Sequence, residues 1–309
     1  MITTVTLNPA IDKTYYVSSF AAGSVQRVAR QIAEPGGKGN NAAKVIRQLG
    51  SDVAATGFIA GSNGSFIERG LAERGIHTSF VRGEGESRVC LNIIEQSSGR
   101  STELLEQGPA MEEKQLSELK KTLRRLALQS SVVVLSGSLP PKAPEDLYAE
   151  LIAIIRSTKA QAFLDASGAA FSSGLLALPY FIKPNEQELE QWLGKTELSE
   201  AEKIDGARQL ASRGIAEVCV TLGGRGAIAF IDGEGYRVTP PAIRAVNTVG
   251  CGDSFVAGMA FALEHGGLPM ERLRVAAAAA SANAMSDKAG DIDYALFQAY
   301  VGQVRVTAL

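Results

Sequence analysis

Apolar positions along the chain follow two periods. Residues 2–7, 53–59, 76–81, 132–135, 161–164, 180–183 and 218–222 are short β-branched or wholly apolar runs. Such runs mark strands, many of them covered on both faces. Between them apolar residues recur every three or four positions. Ala42, Val45, Ile46 and Leu49 form one such stripe, ended by Gly50, and segments 65–74, 112–128 and 144–156 form others. These read as amphipathic helices. Strand–helix alternation in this number predicts an open, mostly parallel sheet with helices on both faces. Two β-rich pieces break the alternation. Segments 14–17 and 25–32 read as short strands, with Asp12 in the loop before them, and 87–96 with 102–107 as a hairpin around Ser98-Gly99. They are assigned to a small separate sheet. The expected organisation is a core of 1–12, 35–85 and 108–309 and a second unit of 13–34 and 86–107. A hairpin is expected around Asp232-Gly233, with helices from there nearly to the end.

With 309 residues the chain is long enough for one large domain with an appendage. Its formal net charge of -2 argues against a nucleic-acid surface but permits a local basic pocket for a small anion. The Ala-rich stretch at 276–284 is too short and too polar to span a bilayer. Three scattered cysteines without a C-x-x-C pair indicate neither a zinc site nor a disulfide framework. The first dozen residues show no basic stretch followed by an apolar core, so no secretory signal and a reducing, cytoplasmic setting are expected.

The candidate chemistry centres on Asn247-Thr-Val-Gly-Cys-Gly-Asp253. Small residues crowd in front of a helix whose apolar face starts at Phe255. The free N–H groups of a helix tip, with its dipole, form an anion site. Asp253 in that place has two readings. It caps the helix, or it accepts the proton of a hydroxyl that attacks a bound phosphate. The turn is neither a Walker A loop nor a complete dinucleotide fingerprint. Polar loops follow several strands, at 136–141, 165–168, 183–188 and 223–226. In open α/β sheets ligands bind outside the carboxyl ends of the strands, so these loops and the 247–253 turn are expected to share one crevice.

Four stretches occur in order: Gly36-Gly-Lys-Gly-Asn-Asn41 opening a helix, Ser136-Gly-Ser-Leu-Pro-Pro141, Lys183-Pro-Asn-Glu186 and Asn247-Thr-Val-Gly-Cys-Gly-Asp253. In these the chain resembles the ribokinase-like, or PfkB, sugar kinase family. Thr6-Leu-Asn-Pro-Ala-Ile-Asp12, Arg88 near Cys90, and Thr102-Glu-Leu-Leu-Glu-Gln-Gly-Pro109 are similar to its 1-phosphofructokinase and tagatose-6-phosphate kinase branch. The resemblance covers nearly the whole chain. It implies a three-layer αβα, ribokinase-like α/β fold with a mostly parallel central sheet and a β-sheet lid, and a homodimer formed through that lid. It also implies transfer of the γ-phosphoryl group of ATP, with Mg²⁺, to a sugar hydroxyl.

By that resemblance Asp253 is the catalytic base, and the backbone of Gly250, Cys251 and Gly252 forms the anion hole. Cys251 stands where Ala or Ser is more usual, and a hole made of main-chain groups should tolerate it. Asn247 replaces an Asp of a monovalent-cation site, so no potassium dependence is expected. Asn185 and Glu188 match an N-x-x-E element tied indirectly to Mg²⁺. Lys183, Thr221, Gly223, Gly226 and Asn283 are assigned to the nucleotide, Asn283 beside the adenine, with a polar residue in the core of an apolar helix as the rival reading of Asn283. Asp12, Gly37 and Asn41 are assigned to sugar hydroxyls. Arg27, Lys38, Arg88 and Ser138 are assigned to a phosphate already on the sugar. The expected acceptor is a ketohexose monophosphate, with tagatose 6-phosphate first, fructose 1-phosphate next and fructose 6-phosphate third. A sugar-phosphate sensor without activity is the rival, disfavoured by the intact Asp253 and glycines. A nicotinamide-dependent dehydrogenase lacks its early fingerprint.

Overall fold

A computed structural model describes residues 1–309. The strands are β1 Ile2–Thr6, β2 Ala10–Val17, β3 Arg30–Gly36, β4 Val53–Ala60, β5 His77–Thr78, β6 Val81–Gly83, β7 Arg88–Glu95, β8 Ser101–Leu105, β9 Val132–Ser136, β10 Gln161–Asp165, β11 Phe181–Ile182, β12 Glu217–Thr221, β13 Ala227–Ile231, β14 Glu234–Thr239 and β15 Arg305–Ala308. The helices are α1 Lys38–Leu49, α2 Gly61–Ala72, α3 Glu113–Ala127, α4 Leu147–Arg156, α5 Gly168–Leu176, α6 Glu186–Leu193, α7 Glu200–Ser212, α8 Cys251–Glu264, α9 Pro269–Ala284 and α10 Tyr294–Val301.

The large sheet runs β15-β14-β13-β12-β11-β10-β9-β1-β4-β5, with β6 also on β4. It is parallel from β12 to β5 and antiparallel at the β13–β15 end. Residues of β1, β4 and β9 are buried throughout, because helices cover both faces. Apolar side chains of α1, α2, α8, α9 and α10 pack one face. Those of α3 to α7 pack the other. The Ala-rich stretch proves to be a helix-packing surface. A Cβ placed on Gly258 of α8 would lie 2.6 Å from Cα of Ala276, so only small residues allow α8 and α9 so close. That packing fixes where the tip of α8 points. No helix is long and apolar enough to cross a membrane.

The stray β-rich pieces form a separate four-stranded sheet, β3-β2-β7-β8. Its central pair, β2 and β7, is parallel, and β3 and β8 are antiparallel neighbours. Three expectations need correction. Asp12 lies inside β2 rather than in a loop, because the β2–β3 ladder reaches back to Ala10 opposite Gly36. The strand expected at 25–32 forms instead at Arg30–Gly36, since β2 ends at Val17 and the chain before Ala29, whose N–H donates to Tyr16 O, runs past its end. The strand expected at 76–81 splits into β5 and β6, both held by β4.

Candidate active site

Loops at the carboxyl edge of the large sheet border a cavity of about 670 Å³. A second cavity of about 330 Å³ opens under the small sheet. Lys38 and Asp253 belong to the walls of both, and they stand where the two spaces meet.

The tip of α8 faces this junction. Gly250 caps the helix with φ 82°, a left-handed conformation that favours glycine. The chain supplies no acceptor for the N–H groups of Gly252 and Asp253. They are the free donors that a helix start leaves. Lys183 places its ammonium against the same turn, 3.2 Å from where a Cβ on Gly252 would be. A larger residue there would push on that ammonium. The Cys251 thiol is pushed up in pKa by burial and receives a hydrogen bond from Asn283, so it is not primed as a nucleophile.

Asp253 is buried, and Asn41 Nδ2 donates to its Oδ2 at 2.9 Å. Burial above all, and then the charge of Asp165, raise its pKa to about 6 against the pull of Lys38, Asn41 and Lys183. It therefore stays charged at neutral pH but binds a proton more readily than an ordinary Asp. Asn41 keeps its Oδ1 buried without a partner, on the wall of the smaller cavity.

Asp165, at the end of β10, ties the cations together. Lys38 Nζ and Lys183 Nζ each lie 3.4 Å from its Oδ1. Burial alone would raise the Asp165 pKa, but the two ammonium groups outweigh it and hold the carboxyl below the ordinary range. Asp165 in turn raises the pKa of Lys38. Sequence reasoning noted the loop after this strand and passed over the carboxylate. A charged residue ending an apolar strand beside the other polar loops was the available signal.

Thr221, Gly223, Gly226, Asn185 and Lys183 together border the larger cavity. A Cβ on Gly226 would lie 1.9 Å from Val238 O, which explains a glycine there. Apolar residues including Val238, Ile243, Ala277 and Ala280 line the same space. Asn185 and Glu188 form a reciprocal cap on α6. The Glu188 N–H donates to Asn185 Oδ1 at 2.9 Å, and the Asn185 N–H donates to Glu188 Oε2 at 2.8 Å. One Glu188 oxygen is thus committed to the helix.

In the smaller cavity Asp12, Gly37, Lys38, Asn41 and Arg88 come together with Asn92. Burial raises the Asp12 pKa against the pull of Lys44 and Arg88. Arg88 donates through Nε to Asn8 O at 3.0 Å and through Nη1 to Glu106 O at 3.3 Å. That leaves its Nη2 edge for a ligand and joins the small sheet to the loop after β1. Asn92 has a buried Oδ1 without a partner, which sequence reasoning missed.

Four expected site residues border neither cavity, and Glu188 of the α6 cap is one of them. Arg27 is exposed in the stretch between β2 and β3 and borders neither cavity. Ser138 is exposed on the loop after β9 and also lies off both walls. Asn283 is fully buried and does not line the larger cavity. It donates to Val249 O at 2.9 Å and accepts from the Gly290 N–H at 2.8 Å. Its amide braces the turn before Gly250 instead of meeting an adenine.

The sequence profile described as pfkB family carbohydrate kinase matches residues 5–293. The chain belongs to the pfkB family of carbohydrate kinases. It is 36% identical over 309 residues to a tagatose-6-phosphate kinase of Staphylococcus epidermidis, covering 99% of each chain. It is 34% identical over 258 residues to a 1-phosphofructokinase of Vibrio cholerae, covering 84% of this chain and 81% of that one. The phosphofructokinase-2 of Escherichia coli, solved in complex with fructose-6-phosphate, superposes with a TM-score of 0.90 at 25% identity, covering 98% of both chains.

A kinase of this family works with ATP, generally with Mg²⁺, and the fit of that ion can be tested on the residues present. No group of three or more Asp, Glu, His or Cys side chains converges to hold a metal by itself. Asp165 Oδ2, however, is buried beside the larger cavity without a hydrogen-bond partner. Mg²⁺ takes few protein oxygens and draws the rest from phosphates and water. A site of one orphaned carboxylate oxygen fits that habit.

Proposed function

We propose that the protein transfers the γ-phosphoryl group of ATP to a hydroxyl of a ketohexose monophosphate, yielding the bisphosphate. Tagatose 6-phosphate is the first choice of acceptor and fructose 1-phosphate the second. The observation that carries this reading is the position of Asp253 and Lys38 in the wall shared by the two cavities. ATP in the larger cavity, its apolar side walls against the base, would present its phosphates at that junction. A sugar under the small sheet would present a hydroxyl from the other side.

Asp253 then acts as general base on that hydroxyl, and its raised pKa suits the task. The free N–H groups of Gly252 and Asp253 at the start of α8, with the Lys38 and Lys183 ammonium groups, stabilise charge on the moving phosphoryl group. Such donors cost nothing to reorganise, and losing one typically raises a barrier by about 3–4 kcal/mol. Mg²⁺ bound with ATP would neutralise phosphate charge, held through Asp165 and, by way of water, Asn185 and Glu188. Asp12 and the Asn41 and Asn92 oxygens accept from sugar hydroxyls. Arg88 Nη2 pairs with the phosphate the sugar already carries. The small sheet serves as a lid that keeps water from the junction.

Leu104 and Leu105 on β8 are 54% and 63% exposed, and Phe20 and Val28 add further exposed apolar surface to the same unit. This supports a homodimer formed through the lid. No disulfide joins Cys90, Cys219 and Cys251, which is compatible with a cytoplasmic enzyme. Steady-state ADP release with tagatose 6-phosphate, fructose 1-phosphate and fructose 6-phosphate tests the reading. Bisphosphate formation from one of them supports it, and no transfer to any of the three refutes it.

A further inference from the structure

Lys44 on α1 takes no part in the chemistry above, yet its side chain is 3% exposed. Its ammonium donates to Pro35 O at 3.0 Å and to Ala289 O at 2.7 Å, and no carboxylate lies within ion-pairing distance. Burial lowers its pKa to about 8, so holding the charge here is costly. An apolar side chain of similar volume would avoid that cost. It could not hold two carbonyls on separate elements.

Pro35 is in β3, the lid strand that runs directly into Gly36 and α1. Ala289 is in the strap between α9 and α10. Two further ties join the same pieces. Arg30 of β3 pairs with Asp287 at 2.9 Å, and Glu34 of β3 pairs with Lys288 at 3.1 Å. On its other side the strap rests on the anion-binding turn. A Cβ on Gly250 would lie 2.9 Å from Gly290 N and 3.1 Å from Ala289 Cα. A Cβ on Gly290 would lie 2.8 Å from Asn41 Cα and from Lys44 Cε. Asn283 fastens Gly290 to Val249. Pro35, Lys44, the strap and Gly250 thus form a continuous line of contacts beside the smaller cavity.

We propose that Lys44 is a positioning residue that couples the lid to the anion-binding turn through the 287–290 strap. When a phosphosugar draws the lid onto the smaller cavity, β3 carries Pro35 with it. The ammonium then holds Ala289, and through it Gly250 and Asn41, in the register that chemistry needs. The lid thereby sets the geometry of phosphoryl transfer as well as covering it. Misplacing that geometry affects turnover more than binding.

The proposal rests on the kinase reading, and wild-type turnover is its control. Lys44→Met should lower kcat by about tenfold while both KM values stay within about threefold. The exposed pair Arg30→Ala with Lys288→Ala should lower kcat less. Combined with Lys44→Met it should add almost nothing, because one broken strut cannot transmit through its other ties. Multiplied losses in the triple variant, a change confined to KM, or unchanged kcat in Lys44→Met would overturn the coupling in an active wild-type enzyme. If Lys44→Met does not fold, Asn283→Ala takes its place in the same cycle with the same two outcomes. Absence of transfer by the wild type sinks the kinase reading instead.

Discussion

Replacing Asp253 with Asn removes the proposed base while keeping its shape, and Asn41 Nδ2 can still donate to the new carbonyl oxygen. A positioned base contributes roughly 10²- to 10⁴-fold, or about 3–5 kcal/mol of barrier. Turnover of Asp253→Asn should fall by that amount. Nucleotide affinity should hold or improve, since a carboxylate beside the phosphate site repels its ligand. In the wild type kcat/KM should fall with unit slope below about pH 6, where Asp253 takes up a proton. Stability should move the other way. The folded-state pKa of about 6 lies above the ordinary 3.8, so the folded form binds this proton more tightly. That gain is full below pH 3.8 and is lost as pH rises through about 6. Above it the charged form costs the ligand-free fold about 3 kcal/mol. Asp253→Asn should therefore unfold at higher temperature than the wild type at pH 8, and the difference should vanish near pH 3. Coupled ADP release, calorimetric titration with an unreactive ATP analogue, and thermal melts at the two pH values are the assays. Near-normal turnover would refute the base assignment. A turnover loss explained by weaker nucleotide binding would refute it as well.

Arg88→Ala should raise KM for a phosphosugar by about 10²-fold, the loss of a charge-assisted pair, and leave an unphosphorylated ketohexose almost unaffected. Equal weakening of both would show that Arg88 holds the lid and reads no phosphate. Asp165→Asn strands Lys38 and Lys183 without their counter-charge. It should cost about 3 kcal/mol in urea unfolding at pH 7, the low end for a broken buried pair because Lys38 reaches solvent. The Asp165 pKa is lowered on folding, so its stabilisation is present above the ordinary 3.8 and should disappear in stronger acid. Asn283→Ala should lower kcat by about tenfold through the slackened turn. A change in adenine-over-guanine preference would instead return Asn283 to the nucleotide.

Much of the site was legible because its parts are local. The α8 tip is a contiguous run of small residues before an apolar stripe, and the free N–H groups it presents need only the helix start itself. The same holds for the Gly36–Asn41 entry into α1, for the turn after β12, and for the alternation that predicted a sheet covered on both faces. Asn185 and Glu188 were also visible, three positions apart, but the helix cap they form emerged only from the structure. Arg27 and Ser138 carried suitable chemistry and failed on position: one lies before β3 finds its partner strand, the other on the outer side of its loop. Asn283 was seen as polar on an apolar helix, but its direction toward the Gly250 turn depends on how α9 packs against α8.

The sequence by itself determined the periodicities, the glycine-flanked start of α8 and the family, since each is written in neighbouring residues. The tertiary structure alone decided that Asp165 gathers Lys38 and Lys183, that Asp253 sits in a wall shared by two cavities, and that Lys44 spans the lid and the 287–290 strap. Asp165 with Lys38 and Lys44 with Ala289 are each more than a hundred positions apart. Their distances follow from strand order and helix packing, which no single stretch of the chain encodes.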